Sequence, residues 1–478
     1  MKKGKRVVDK KEMENTQIFK RYLNPNKLQE IEEGKEGKEA FFNLIETIPR
    51  NLTEEAFNEE VADLIIEYTH MIMLKSTKDV YIYNYTTHRW ESKGEIWLQR
   101  LVYEVTKSVD ETKLWYRERN TCEHIKRKLC MLETFSDDYL VLINGTFDRR
   151  TGEIIESQSN HYAHFFSTVV YDSEKKCARF LQFLNEVFYS DQSTIAFVQE
   201  WFGYVLLSSH QANAFLIGYG SGANGKSLLF ALLAKLVGEC NTSSSGISAF
   251  QSRFGMEVMH NKLLNLATES DVNSFETATL KAVTAGEPIT LNRKGIKEIT
   301  CILPTKFIFL MNHLPLITDS SYGFSRRLLI LPFPRTFRPE EQDPFLLEKM
   351  TLELSGILNF ALEGAKRLIK NGYQFTISDL MNEAKEQFLG CVHPLSYFKA
   401  HYLSKNPTRK VESNLLFQTF QKMLKEKNWS ARQYGTLRSF NKGLIELFEA
   451  EGFVISTKKS NGKTYLSGIV LNQSIQEP

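Results

Sequence analysis

The chain has 478 residues, 42% hydrophobic and 24% charged, the balance of a soluble globular protein too long for one core, so about three domains are expected. No apolar run approaches the roughly eighteen residues of a membrane span. The basic start, Met1 to Arg6, leads into no apolar stretch of a secretory leader. The six cysteines (Cys122, Cys130, Cys177, Cys240, Cys301 and Cys391) are scattered, as reduced intracellular thiols are, and a cytoplasmic protein without membrane partners is expected. The net charge of +3 hides an asymmetry. From His401 onward twelve Lys/Arg face six Asp/Glu, a balance of +6, which leaves −3 for the first 400 residues. Basic charge concentrated in a terminal segment is where an electrostatic DNA contact is expected.

Between Ala40 and Tyr116 helical stretches surround a strand-like run, Val80 to Tyr85, that ends near Trp90. Its alternate tyrosines, Tyr81, Tyr83 and Tyr85, read as strand-packing aromatics before they read as base-stacking ones. Cys122, His124 and Cys130 are three zinc-type ligands without a fourth at suitable spacing. A compact β signal follows from Tyr139 to Asp148, with the turn dipeptides Asn144-Gly145 and Thr151-Gly152. Two apolar-periodic helices come next, Phe180–Phe188 and Val198–Leu207. From Ala214 to Pro334 short buried strands alternate with helices, the signature of a mostly parallel sheet. Pro332, Pro334 and Pro339 mark its exit, and a helix is predicted around Phe345–Lys370.

The strongest chemistry sits at the start of that sheet. Ala214–Gly218 is a buried strand, Gly220-Ser221-Gly222-Ala223-Asn224-Gly225-Lys226-Ser227 follows, and Leu228–Val237 is helix-forming. Strand, glycine-rich loop and helix is the context in which backbone N–H groups converge on phosphate oxygens, aided by the positive helix end. Gly220, Gly222, Asn224, Gly225, Lys226, Ser227 and Leu228 are the candidate nucleotide-binding residues. Lys226 would neutralise the β- and γ-phosphates of ATP, and the Ser227 hydroxyl would hold Mg2+.

A loop of this kind serves kinases and transport ATPases as well, so the downstream residues must decide. Lys262–Thr268 is an apolar strand ending in Glu269, an acid placed to hold magnesium or activate water, with Asp271 as a second candidate. In residues 280–295, from Leu280 and Lys281 to Arg293-Lys294-Gly295, the segment after Gly286-Glu287-Pro288 reads as a hairpin with a polar, basic tip. A third strand, Lys306–Met311, ends at Asn312, and Gly323-Phe324-Ser325-Arg326-Arg327 precedes a fourth, Leu328–Phe333.

This ordered set resembles the superfamily 3 helicases, specifically the phage and plasmid primase–helicase branch found on mobile genetic elements. The resemblance runs from about Val80 to Phe337 and includes Asn312-His313-Leu314-Pro315. It implies an AAA+-type ring, a homo-oligomer expected to be a hexamer, translocating on one DNA strand. Lys226, Ser227, Glu269 and Asn312 would face ATP from one protomer, and Arg326 or Arg327 from the next. Lys281, Arg293, Lys294 and Lys297 would contact DNA in the pore. Two departures stand out. Thr268 occupies a position where many members carry a second acid, and the upstream chain is too short for a separate primase domain, so no primase activity is expected.

In the basic tail, Val411–Glu426 and Thr436–Ala450 read as helices, and Phe453–Leu466 as a hairpin around Asn461-Gly462. Helix, helix and hairpin is winged-helix order. Arg432, Arg438 and Lys442 would lie on a recognition helix and Lys458, Lys459 and Lys463 on the wing. The resulting expectation is an α/β protein with an AAA+-type P-loop ATPase core at 186–375. An α/β helicase-associated domain at 1–185 and a winged-helix-like DNA-binding domain at 376–478 would flank it. Its function would be a replication initiator helicase acting on single- and double-stranded origin DNA, with a host primase or polymerase as a candidate partner. The alternatives are an ATP-switched origin-binding regulator without unwinding and, further off, a small-molecule phosphotransferase.

Overall fold

The computed structural model describes residues 21–27, 52–75, 77–107, 114–268, 277–312, 322–392, 394–427, 429, 431, 434–449, 451–460 and 462–472. Over these residues the protein is mixed α/β, with several sheets and helices.

The first packing unit contains helix α1 (Glu54–Tyr68), strands β1 (Met71–Leu74), β2 (Val80–Asn84) and β3 (Arg89–Glu91), helices α2 (Gly94–Lys107) and α3 (Leu114–Lys128), and β4 (Cys130–Leu132). Thr53 opens α1 by accepting from Ala56 N, which satisfies one of the orphan donors of a helix start. The strands form one sheet in the order β3-β2-β1-β4. Its helix-covered side closes over Phe57, Val61, Ile65, Leu98 and Ile125. The other side carries Tyr83 and Trp90, packed with Tyr81 and Tyr85. The tyrosines of the predicted run are therefore engaged in packing. Tyr83 and Tyr85 stand edge to face, centroids 5.0 Å apart. His124 Nε2 lies 2.8 Å from Glu59 Oε2, in a surface hydrogen bond.

A second sheet, in the order β7-β6-β5-β8, is built from β5 (Ser136–Leu142), β6 (Gly145–Asp148), β7 (Glu153–Ile155) and β8 (Ala163–Phe166). The Asn144-Gly145 turn lies where the sequence placed it, between β5 and β6. Next come α4 (Ala178–Val187), α5 (Gln192–Leu206), β9 (Phe215–Tyr219), α6 (Lys226–Val237), β10 (Thr242–Ser243), β11 (Leu264–Thr268), α7 (Thr277–Thr284), the hairpin β12 (Ile289–Arg293) and β13 (Ile296–Cys301), β14 (Lys306–Met311), α8 (Tyr322–Ser325) and β15 (Leu328–Pro332). Strands β10-β11-β14-β9-β15, in that order, make a five-stranded sheet in which every described pairing is parallel. All six side chains of β14 are buried, as a strand covered on both faces requires.

Helices α9 (Leu346–Thr351), α10 (Leu354–Lys370) and α11 (Asp379–Val392) complete this body. The helix predicted around 345–370 is two helices, joined at Leu352-Glu353. One apolar cluster runs from Leu140 and Phe165 through Trp201 and Leu233 to Leu368 and Met381. It spans position 185, because the second sheet and α4 pack on the same core as β9 and α6. Helices α5 and α10 touch at glycines: a Cβ on Gly364 would stand 2.0 Å from Gln199 O, so the backbones themselves are in contact.

The last unit runs α12 (Pro394–Tyr402), β16 (Leu403–Glu412), α13 (Ser413–Glu426), α14 (Leu437–Glu449), β17 (Ser456–Ser460) and β18 (Lys463–Leu471), with strand order β16-β18-β17. The two helices and the hairpin follow the sequence reading. Strand β16 is an addition, because its polar, charged residues form an exposed edge strand without apolar alternation. Phe398, Phe420, Phe440, Leu444 and Leu466 fill a separate core. Among the described residues no helix is long and apolar enough to cross a membrane.

Candidate functional site

Strand β9 ends at the carboxyl edge of the parallel sheet, where ligands of open α/β sheets bind. The loop that follows turns through three residues with positive φ, Gly222 (104°), Ala223 (47°) and Gly225 (86°). Gly222 has nothing within 4 Å of a would-be Cβ. At Gly225 a Cβ would stand 2.9 Å from the Phe183 ring, so the loop is seated directly on α4. Gly225 then caps α6, whose first residue is Lys226.

Lys226 is 5% exposed. Its Nζ donates to Gly220 O, to Asn224 Oδ1 at 3.3 Å and to Asn312 Oδ1 at 3.1 Å. Asn312 belongs to the end of the neighbouring strand β14, so parallel pairing brings two sequence-distant motifs to one ammonium group. Asn224 Nδ2 is buried and has no hydrogen-bond partner among the described residues. The site thus combines a helix N-terminus, a buried cation, an unused buried amide donor and a backbone cradle, a donor set suited to a polyphosphate. Ser227 and Leu228, the next two residues of α6, line the same cleft.

The cleft measures about 760 Å3, within the usual range for ligand pockets. One wall is Gly222–Leu228 with Thr268 and Asn312. The opposite wall was not legible in the sequence: Arg179, Phe183 and Glu186 of α4, with Phe337, Gln342, Asp343 and Leu346. Phe337 N donates to Ala223 O at 2.8 Å, tying this wall to the loop. Arg335 lies 4.5 Å from the Phe337 ring centroid and is itself held by Glu341 at 3.1 Å. Glu353 caps α4 from the start of α10, accepting from Arg179 N (3.1 Å) and Phe180 N (3.0 Å). These are ordinary residue types in ordinary spacing, and only the packing of α4 and the segment after β15 against the loop gives them a common address.

Glu269 and Asp271 lie outside the described residues, as do His313-Leu314-Pro315, Arg432, Asn461 and the side chain of Lys297. Thr268, the residue before Glu269, reaches the cleft. The two arginines separate. Arg327 is 8% exposed, and its Nη1 donates to Gly323 O at 2.7 Å. Burial first, and then the neighbouring Arg326, push its guanidinium below the usual arginine range, with Glu287 opposing. Arg326 is exposed. Neither lines the cleft.

The hairpin forms as predicted, with Arg293 and Lys294 at its tip and Gly295 at φ 73°. Lys294 is exposed, and its backbone N donates to Glu257 at 3.3 Å. Lys281 is half-buried on α7, before the hairpin. In the last unit Arg438 and Lys442 are exposed one turn apart on α14, while Lys463 is paired with Glu412 at 2.9 Å. Lys458 and Lys459 are both exposed on β17. Among the described residues no group of three or more His, Cys, Asp or Glu is disposed to hold a metal ion.

Residues 62–189 match the family model described as D5 N terminal like. Residues 218–327 match a family of unknown function, DUF5906. Among solved structures the chain is similar to two apo structures of the NrS-1 C-terminal region, at 15% and 14% identity. Each match covers 84% of this chain and 96% of the other, with a TM-score of 0.46.

Proposed function

We propose that this protein is an ATP-driven DNA helicase of the replication-initiator kind, working as a ring in which one protomer's cleft is completed by the next. The observation that carries the reading is the meeting of Lys226 and Asn312 at 3.1 Å in the cleft. A loop lysine and a polar strand end that meet there could hold the γ-phosphate and its attacking water. The D5 N-terminal-like match upstream supports the reading, since it lies in the region where the sequence resembles helicase-associated segments.

In this scheme the loop N–H groups and Lys226 bind the phosphates, Asn312 orients the attacking water, and α4 with Phe337 encloses the rest of the nucleotide. Magnesium, held by Ser227 and Glu269, would neutralise charge on the β- and γ-phosphates. Arg326, exposed and not lining its own cleft, would act on a neighbour's; the hairpin tip with Arg293 and Lys294 would grip the strand. The helix–strand–helix–helix–strand–strand order of the last unit supports a winged-helix reading in which Arg438 and Lys442 meet duplex DNA.

The test is strand displacement on a forked substrate by purified protein, with Lys226→Ala as control. ATP-dependent displacement abolished by Lys226→Ala is expected. ATP-stimulated DNA binding without displacement would make it the switched origin-binding protein, and ATP turnover indifferent to DNA would refute both.

A further inference from the structure

We propose that the solvent-facing side of the β16–β18–β17 sheet is a platform for single-stranded DNA. On it Tyr465 stacks an unpaired base while Lys410 and Lys458 hold the adjoining phosphates. The register places these residues together. Glu412, Tyr465 and Lys458 are direct partners in one row across the three strands. The row two residues along β18 is Lys410, Ser467 and Ser456, and the row on the other side pairs Lys463 with Ser460. Side chains two apart share a face of a pleated sheet. The alternate row, Val411, Leu466 and Thr457, faces the other way, and Leu466 is 0% exposed in the core. The Tyr465 face is therefore the outer one.

A bulge sets this arrangement. The β16–β18 register shifts between Asn406 and Lys410, opposite Gly468 at φ 102°. The shift reverses the alternation, so that Ile469 and Leu471 enter the core while Lys410 remains outside. Lys410 Nζ sits over the Tyr465 ring, 4.6 Å from its centroid, so a stacking base would take its place there and the flexible lysine would turn to the adjoining phosphate. Lys463 is neutralised by Glu412 at 2.9 Å. That leaves two lysines flanking one half-buried aromatic ring, with Ser456 and Ser460 exposed around them.

A ring on a flat face between two cations suits unpaired bases, whose π-faces are free, more than a duplex, whose bases are stacked on one another. The face is distinct from Arg438 and Lys442 on α14. It also excludes Lys459, which pairs with Thr464 in an alternate row and so points to the opposite side of the sheet. The platform extends the DNA contacts beyond the hairpin and the winged-helix helix, and it does not depend on ATP turnover.

The test uses the full chain carrying Arg293→Ala and Lys294→Ala, which lowers binding by the hairpin, without nucleotide. A short labelled deoxythymidylate oligomer and a duplex of the same length are titrated by fluorescence anisotropy. Tyr465→Ala should weaken single-strand binding roughly 5- to 150-fold and leave duplex affinity unchanged. Tyr465→Trp should retain binding, with indole emission quenched by the oligomer. Lys410→Ala and Lys458→Ala should each reduce the slope of log affinity against log salt by about 0.7. Should Tyr465→Ala fail to fold, Lys458→Glu on the exposed edge strand and the Tyr465→Trp quench decide. No selective loss of single-strand binding, an equal loss on duplex, or an unquenched tryptophan would overturn the proposal. Because no readout uses ATP, the platform and the ATPase reading stand or fall separately.

Discussion

Replacing Glu200 with Ala should loosen the body that carries the glycine-loop cleft. Glu200 lies on α5, just before β9, and is 0% exposed. Its carboxylate accepts from Arg367 Nε at 2.7 Å, Thr376 N at 2.7 Å and Thr376 Oγ1 at 2.9 Å. Arg367 also donates to Gln199 Oε1 (2.8 Å) and Ala196 O (2.9 Å), so one guanidinium clamps α10 to α5. Removing one partner of a buried ion pair costs about 3–5 kcal/mol. Arg367, whose side chain is 35% exposed, regains water when Glu200 is lost. Thr376 N, by contrast, loses its acceptor at a cost of about 1–3 kcal/mol. Glu200→Ala is therefore expected near the lower end, about 3 kcal/mol. Arg367→Ala should cost more, because it leaves a fully buried carboxylate. Urea unfolding followed by intrinsic tryptophan fluorescence, to which Trp201, one residue away, contributes, measures both. A loss under about 0.5 kcal/mol, the scale of an exposed pair, would refute the argument, as would Glu200→Ala proving the costlier of the two.

Gly225→Ala forces a side chain into φ 86° and against Phe183, a strain of about 1–3 kcal/mol; a fluorescent ATP analogue should lose affinity while the far-ultraviolet circular dichroism is kept. Arg326→Ala should abolish turnover without lowering Tm, and mixing it with Lys226→Ala should restore part of the activity if the arginine acts across a joint; Arg327→Ala should instead lower Tm, since its guanidinium is built into the fold. Acid should destabilise the protein through His164, held at about 4 by burial first and then by its neighbours His260, Lys262 and Arg89, and His210, held at about 3 chiefly by burial and Lys306. The unfolded chain takes up protons below about 6.5 and the folded one does not, so stability falls as pH drops from about 6.5 towards 3–4. At pH 5 the loss is at most about 2 kcal/mol per histidine, and a His210→Gln variant should show a shallower decline in urea midpoint between pH 7 and 5.

The glycine-rich loop, the hairpin and the basic last unit were legible in the sequence because each is local. Glycines at fixed offsets, a helix-forming run and a turn dipeptide act within a few residues, and burial or charge marks them directly. Gly222, Asn224, Gly225, Lys226, Ser227, Leu228 and Asn312 were named from such signals and share one cleft. The tertiary structure alone decided what depends on contacts between distant segments. Arg179, Phe183 and Phe337 became a cleft wall because α4 and the segment after β15 pack on the loop. Arg326 and Arg327, indistinguishable as a pair, were separated by the burial of one. Tyr465 acquired its lysine neighbours from a register that a single bulge at Gly468 sets, and no periodicity of β16 announces that bulge. Hydrophobic pattern chooses the faces of helices and strands, but which face meets which is settled only when the cores close.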